Sequence, residues 1–94
     1  MRVGICEYEL FLPLCHSLKE KRSIIKSLLQ KLQHKFHISA CEAANQDVWQ
    51  RATVGVAVVS NEKAHIEQML EKITHFIDIF DESVEITHIE KEIL

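Results

Sequence analysis

The side chains in this sequence best equipped for chemistry are six histidines, three cysteines and a short polar run around Asp47. A metal site needs three or four ligands in one shell, and a chain usually supplies them as close pairs repeated at a recognisable distance. Cys15 with His16 and His34 with His37 are the only close pairs, and neither has a second pair to complete it. No metal and no other cofactor is expected. His34 and His37 read instead as exposed side chains that suit the negative end of a helix. A nucleophile would need an activating base and an oxyanion donor, yet there is no Gly-flanked serine elbow, and two glycines cannot build a phosphate-cradling loop. Glu42 and Asp47 are near enough in sequence to share a site, but carboxylates flanking a loop ordinarily bond its backbone or face solvent. No catalytic residue is assigned, no small-molecule substrate is evident, and the chain is not expected to be an enzyme.

The segment Gln46-Asp47-Val48-Trp49-Gln50-Arg51 offers more. Asp47 can pair with Arg51 or fold back on its own backbone, and Gln46 and Gln50 carry adaptable donors and acceptors. Two readings stand. In one, the indole of Trp49 is a hinge of the core and its polar neighbours satisfy the loop backbone. In the other, Gln46, Asp47, Trp49 and Gln50 form a contact loop, with Trp49 and Arg51 presented to a partner, since these residue types dominate interface energetics.

A third kind of chemistry is charge. Between residues 18 and 35 the chain carries Lys19, Lys21, Arg22, Lys26, Lys31 and Lys35 against the single carboxylate of Glu20. Lys19, Lys21, Arg22 and Lys26, together with Arg51, make a candidate face for an anion or RNA, binding phosphates in a salt-sensitive and sequence-indifferent way. The second half of the chain, from residue 52, is acidic. The charge asymmetry is either a dipolar surface suited to self-contact or anion binding at one end, or simply two solvated helix faces.

These side chains need elements to hold them. Leu18, Ile25, Leu28, Leu29, Leu32 and Phe36 recur at helical intervals and predict a helix from Ser17 to Phe36, with Ser17 and Glu20 as a reciprocal capping box. Arg2 to Leu12 reads as a strand with Tyr8, Leu10 and Leu12 on one face and Glu7 and Glu9 on the other. Val3 and Ile5 break that parity, which implies cover on both faces or a bulge near Gly4. His37 to Ala44 is a weak second strand. Ala52 to Ser60 is apolar on both parities, as a central strand should be. Ser60 or Asn61 can cap a second helix reaching about Ile79, whose buried stripe is Ile66, Met69, Leu70, Ile73, Phe76 and Ile77. A turn at Asp81–Ser83 leads to a last strand from Val84 to about Ile89.

The order β-α-β-β-α-β is the split βαβ, ferredoxin-like α+β arrangement, a four-stranded antiparallel sheet with two helices on one face. Residues 1–94 are expected to form one domain, since the chain is long enough for one core and too short for two. Val3, Ile5, Ala57, Val59 and Phe11 would then lie on the sheet face that the helices leave open, so a homodimer through that face, or a bound partner, is expected to cover it. RNA-recognition domains share this order but stack bases on aromatics of the central strands, and the third strand here has none. The absence of a long apolar run and of a signal-peptide pattern predicts no membrane association and a cytoplasmic location. The odd, irregularly spaced Cys6, Cys15 and Cys41 fit reduced thiols.

Two motifs together, Ser17-Leu18-Lys19-Glu20-Lys21-Arg22 after Leu12-Pro13 and Gln46-Asp47-Val48-Trp49-Gln50-Arg51 before a strand ending Val58-Val59-Ser60-Asn61, resemble the bacterial YlxP-like family, a small domain of unknown function. The resemblance spans essentially the whole chain and implies a ferredoxin-like fold. The family's genes often lie among those for translation initiation and ribosome maturation factors, which implies a ribosome or RNA association, and no activity comes with it. Leu14, Cys15, His16 and Asn45 depart from the family's usual residues. The expected function is an accessory protein that meets RNA or the ribosome through the basic helix; the alternative is a homodimeric protein-interaction module without nucleic acid.

Overall fold

The computed structural model describes residues 1–94 and orders them as β1 (Arg2–Phe11), α1 (Leu18–Phe36), β2 (Ser39–Ala44), β3 (Arg51–Ser60), α2 (Lys63–Asp78) and β4 (Glu85–Ile93). The strands form one antiparallel sheet in the order β2-β3-β1-β4, and the ferredoxin-like α+β arrangement is the observed one. β1 and β3 are the central pair. Their inward residues meet in register, Cys6 opposite Val56, Tyr8 opposite Val54 and Leu10 opposite Ala52, and both helices pack on this face.

α1 forms where its apolar period predicts. Ser17 Oγ accepts a hydrogen bond from the Glu20 amide at 3.1 Å, but Glu20 Oε2 reaches the amide of His16 at 3.0 Å rather than that of Ser17. The helix ends at His37, which takes a left-handed conformation (φ 53°) and donates its amide to Gln33 O. His37 therefore caps α1 and does not begin β2. Ile25, Leu28 and Leu32 from α1 and Ile66, Leu70, Ile73 and Ile77 from α2 are buried, each contributing roughly 1.5–3 kcal/mol by leaving water. Tyr8 is buried among them, its hydroxyl 2.7 Å from Thr74 Oγ1. Burial holds the Tyr8 phenol well above its ordinary pKa and raises that of the Cys6 thiol.

The parity break at the start of β1 has a steric cause and no bulge. Gly4 faces inward beneath α2, and a Cβ there would collide with Ile66 Cγ2. The inward row is thus Gly4, Cys6, Tyr8, Leu10, and Val3 and Ile5 fall on the open face. The register shift of the β1–β4 ladder lies instead at Glu9–Leu10, where β4 carries Thr87 as the extra residue. β4 runs on to Ile93, beyond the predicted end near Ile89, because Glu90 to Ile93 pair with β1 back to Gly4. The pairing is extended by Leu94, whose amide donates to Val3 O and whose carbonyl accepts from Arg2 Nε, 92 positions away. No helix is long and apolar enough to cross a membrane.

Candidate functional site

Lys21 is the residue around which the site is built. It lies one turn before Ile25 on the inward stripe of α1, and its side chain is fully buried. The ammonium donates to Asn45 O at 2.6 Å, Arg51 O at 3.2 Å and Gln46 O at 3.3 Å, so three protons meet three carbonyls. Glu42 Oε2 stands 2.9 Å from the same nitrogen, outside good hydrogen-bond geometry, and neutralises the charge. A buried charge is tolerated only when paired and bonded in this manner. Lys21 is therefore not part of an anion-binding face: its charge is spent inside the protein, holding both ends of the connection between β2 and β3.

The rest of that connection is equally well tied. Asn45, in the left-handed region (φ 63°), donates through Nδ2 to Thr53 Oγ1 at 2.9 Å, and its carbonyl also accepts from Val48 N. Gln46 Nε2 bonds Glu42 O, while Gln50 Nε2 bonds Pro13 O and Cys15 O and the Gln50 carbonyl accepts from Leu12 N. Gln46 and Gln50 thus serve backbone, as the first reading of this loop holds. Trp49 does not follow it. Its surface is 49% exposed, and Val48 (39%) and Leu14 (68%) are open as well. The loop is fixed by polar groups beneath it and carries its apolar side chains outward.

The Arg51 side chain, unlike its carbonyl, is turned away from α1. Arg51 is paired with Phe11 in the sheet and its guanidinium lies 3.6 Å from Glu9 on the open face, so it forms no ion pair with Asp47. Asp47 is exposed, and Glu42 is committed to Lys21; no hydrogen bond joins the two carboxylates. Cys15 is buried and His16 exposed; burial, and then the nearby Glu20 charge, push the Cys15 thiol up. Of the predicted cationic face, Lys19, Arg22 and Lys26 remain, all exposed on α1. The structure brings Lys21, Gln46 and Gln50 together as a framework for the loop, leaves Trp49 of that loop half exposed, and places the Arg51 side chain on the opposite side of the sheet.

Two features were not anticipated from the sequence. The carbonyl cage around Lys21 is one, and its signal was the phase of Lys21, four residues before Ile25 and seven before Leu28. The other is a cleft of about 630 Å³ between α2 and β4, where Glu71, His75, Asp78 and Lys91 rim a floor that includes Cys6, Leu70 and Ile86. It exists because β4 is an edge strand that α2 only partly covers.

The profile of a family described as "Protein of unknown function (DUF503)" matches residues 3–91. The chain belongs to this family. It is 40% identical over 80 residues to "Uncharacterized protein YlxP" of Bacillus subtilis (strain 168), a match covering 85% of this chain and 87% of that protein. Both motifs that carried the resemblance lie within the span the family profile matches. Among solved structures, the "De novo designed protein Foldit4" aligns with a TM-score of 0.52 at 16% identity, covering 100% of this chain and 97% of that one. That likeness concerns the fold alone.

Proposed function

We propose that this chain is a non-enzymatic, cytoplasmic accessory domain that meets RNA or a ribonucleoprotein particle through the outer face of α1. The observation that carries this reading is uncompensated charge. Lys19, Arg22, Lys26, Lys31 and Lys35 are exposed, and none has a carboxylate within 4.0 Å. The one carboxylate of α1, Glu20, is taken up by the amide of His16. Lys31 and Lys35 lie over the rings of Phe80 and Phe76, each 5.2 Å from the centroid, which leaves Lys19, Arg22 and Lys26 as the freest cations. Such a row meets phosphates and releases counterions.

Co-sedimentation with ribosomal particles tests the reading. Binding should weaken steeply between about 50 and 200 mM salt, and the triple charge reversal Lys19→Glu, Arg22→Glu, Lys26→Glu should abolish it. Binding that is unaffected by the triple variant would sink the proposal.

A second reading, a homodimer or protein-interaction module without nucleic acid, is favoured by the open sheet face. Val3, Ile5, Phe11, Ala57 and Val59 lie there, Val59 with 60% of its surface exposed. Beside them Gly55, Cys41 and Ala43 leave a shallow hollow of about 310 Å³.

A further inference from the structure

We infer that the anionic ligand of the α1 face is single-stranded RNA, and that Trp49 is the platform on which one of its bases stacks; the inference rests on the RNA reading of α1 and names the substrate class. Trp49 is the only tryptophan in the chain, and about half of its surface is open. The ring is not held by burial. Its loop is held from below, by the Lys21 ammonium on the carbonyls of Asn45, Gln46 and Arg51 and by Gln50 on those of Pro13 and Cys15. A surface fixed in this way loses little conformational freedom on binding.

The same ammonium fastens the loop to the first turn of α1, which carries Lys19 and Arg22, with Lys26 one turn further on. The carboxylates nearby are occupied: Glu42 faces Lys21, Glu20 accepts from His16 N, and Glu9 faces Arg51. Asp47 alone stays exposed without a cation. A duplex keeps its base faces stacked on one another, whereas a single strand offers them. An acidic polypeptide would satisfy the cations and leave the indole unused. Phosphates on α1 with a base on Trp49 use both features.

The emission of Trp49 reads the contact directly in the full chain. Titration with a single-stranded RNA of about 12 nucleotides, within the range of known single-strand sites, should quench it, and the same sequence annealed to its complement should not. With fluorescently labelled RNA followed by anisotropy, Trp49→Ala should weaken binding on the order of tenfold and Trp49→Phe by less than about threefold. Asp47→Asn should tighten it. The slope of log affinity against log salt should fall in magnitude by about 0.7 for each of Lys19, Arg22 and Lys26 removed. An unchanged circular dichroism spectrum for each variant separates lost contact from lost fold. RNA binding with unchanged emission and a neutral Trp49→Ala would overturn the stacking inference and leave the α1 reading standing. Equal quenching by duplex or by polyglutamate would overturn it too. No binding to RNA or to ribosomal particles would overturn both.

Discussion

Removing the ammonium of Lys21 would leave three carbonyls and Glu42 Oε2 facing one another inside the protein. Breaking a buried pair from one side is far more damaging than replacing both partners, because the remaining charge has no water to return to. Lys21→Met should therefore lower stability by about 3–5 kcal/mol in urea unfolding, and Lys21→Met with Glu42→Leu should recover at least about 1 kcal/mol of that loss. A double variant no more stable than the single one would show that the carbonyls, and not Glu42, carry the interaction. Residue identity and helical phase made Lys21 visible as a member of α1. Phase puts it on the inward stripe, but residue identity points the other way, since a lysine at an apolar stripe ordinarily carries its charge out to water. What overrode that tendency was the polar backbone of the 45–51 loop, which needs donors and lies beyond any local pattern. For the same reason Trp49 could be read either way: whether a loop side chain is buried depends on what else the loop packs inward, and here Lys21 ties down the loop carbonyls while Trp49 is left 49% exposed.

At the scale of elements, the contact of Gly4 with Ile66 sets how closely α2 lies on β1. Gly4→Ala should destabilise by about 1–3 kcal/mol through overpacking. Ile66→Leu moves the branch away from Cβ, so the pair Gly4→Ala with Ile66→Leu should be less destabilised than the sum of the two single changes. Strict additivity would mean that the backbones, not these side chains, determine the spacing. The type and order of the elements are legible because, β2 apart, their periods are strong: Ile25, Leu28 and Leu32 repeat at helical intervals, and Val54, Val56 and Val58 mark a central strand. Their ends are less so. Residues Glu90 to Ile93 look like a solvated tail because alternating charge on an edge strand resembles one, and only β1 as a partner makes them strand. His37 reads as the first residue of β2 because an L residue in a left-handed cap leaves no mark in the hydropathy pattern.

Over the whole molecule, charge is divided between opposite faces. α1 turns cations outward, while the open sheet face carries Glu7 directly opposite Glu90, with Glu92 and Glu85 also on β4. Like charges in direct cross-strand register destabilise a sheet and would oppose a second copy of the same face. If the homodimer reading is right, the solution mass measured by light scattering should be that of two chains, Ile5→Lys with Val59→Lys should return it to one, and added salt should strengthen the dimer by screening the carboxylates. RNA binding through α1 responds to salt with the opposite sign, so one titration separates the two readings. A single-chain mass at every salt concentration would remove the dimer. That the apolar residues Val3, Ile5, Phe11, Ala57 and Val59 share the uncovered face is readable from parity; that carboxylates of the acidic second half stand beside them is not, because it follows only when β4 is placed next to β1. The same adjacency bears on biosynthesis. β1, the first strand to be made, sits between β3 and β4, and β4 is the last, with Arg2 bonded to a carbonyl 92 positions along the chain. The sheet is incomplete until β4 has emerged from the ribosome, so the β1–β4 pairing, which joins residues at the two ends of the domain, is among the last contacts to form.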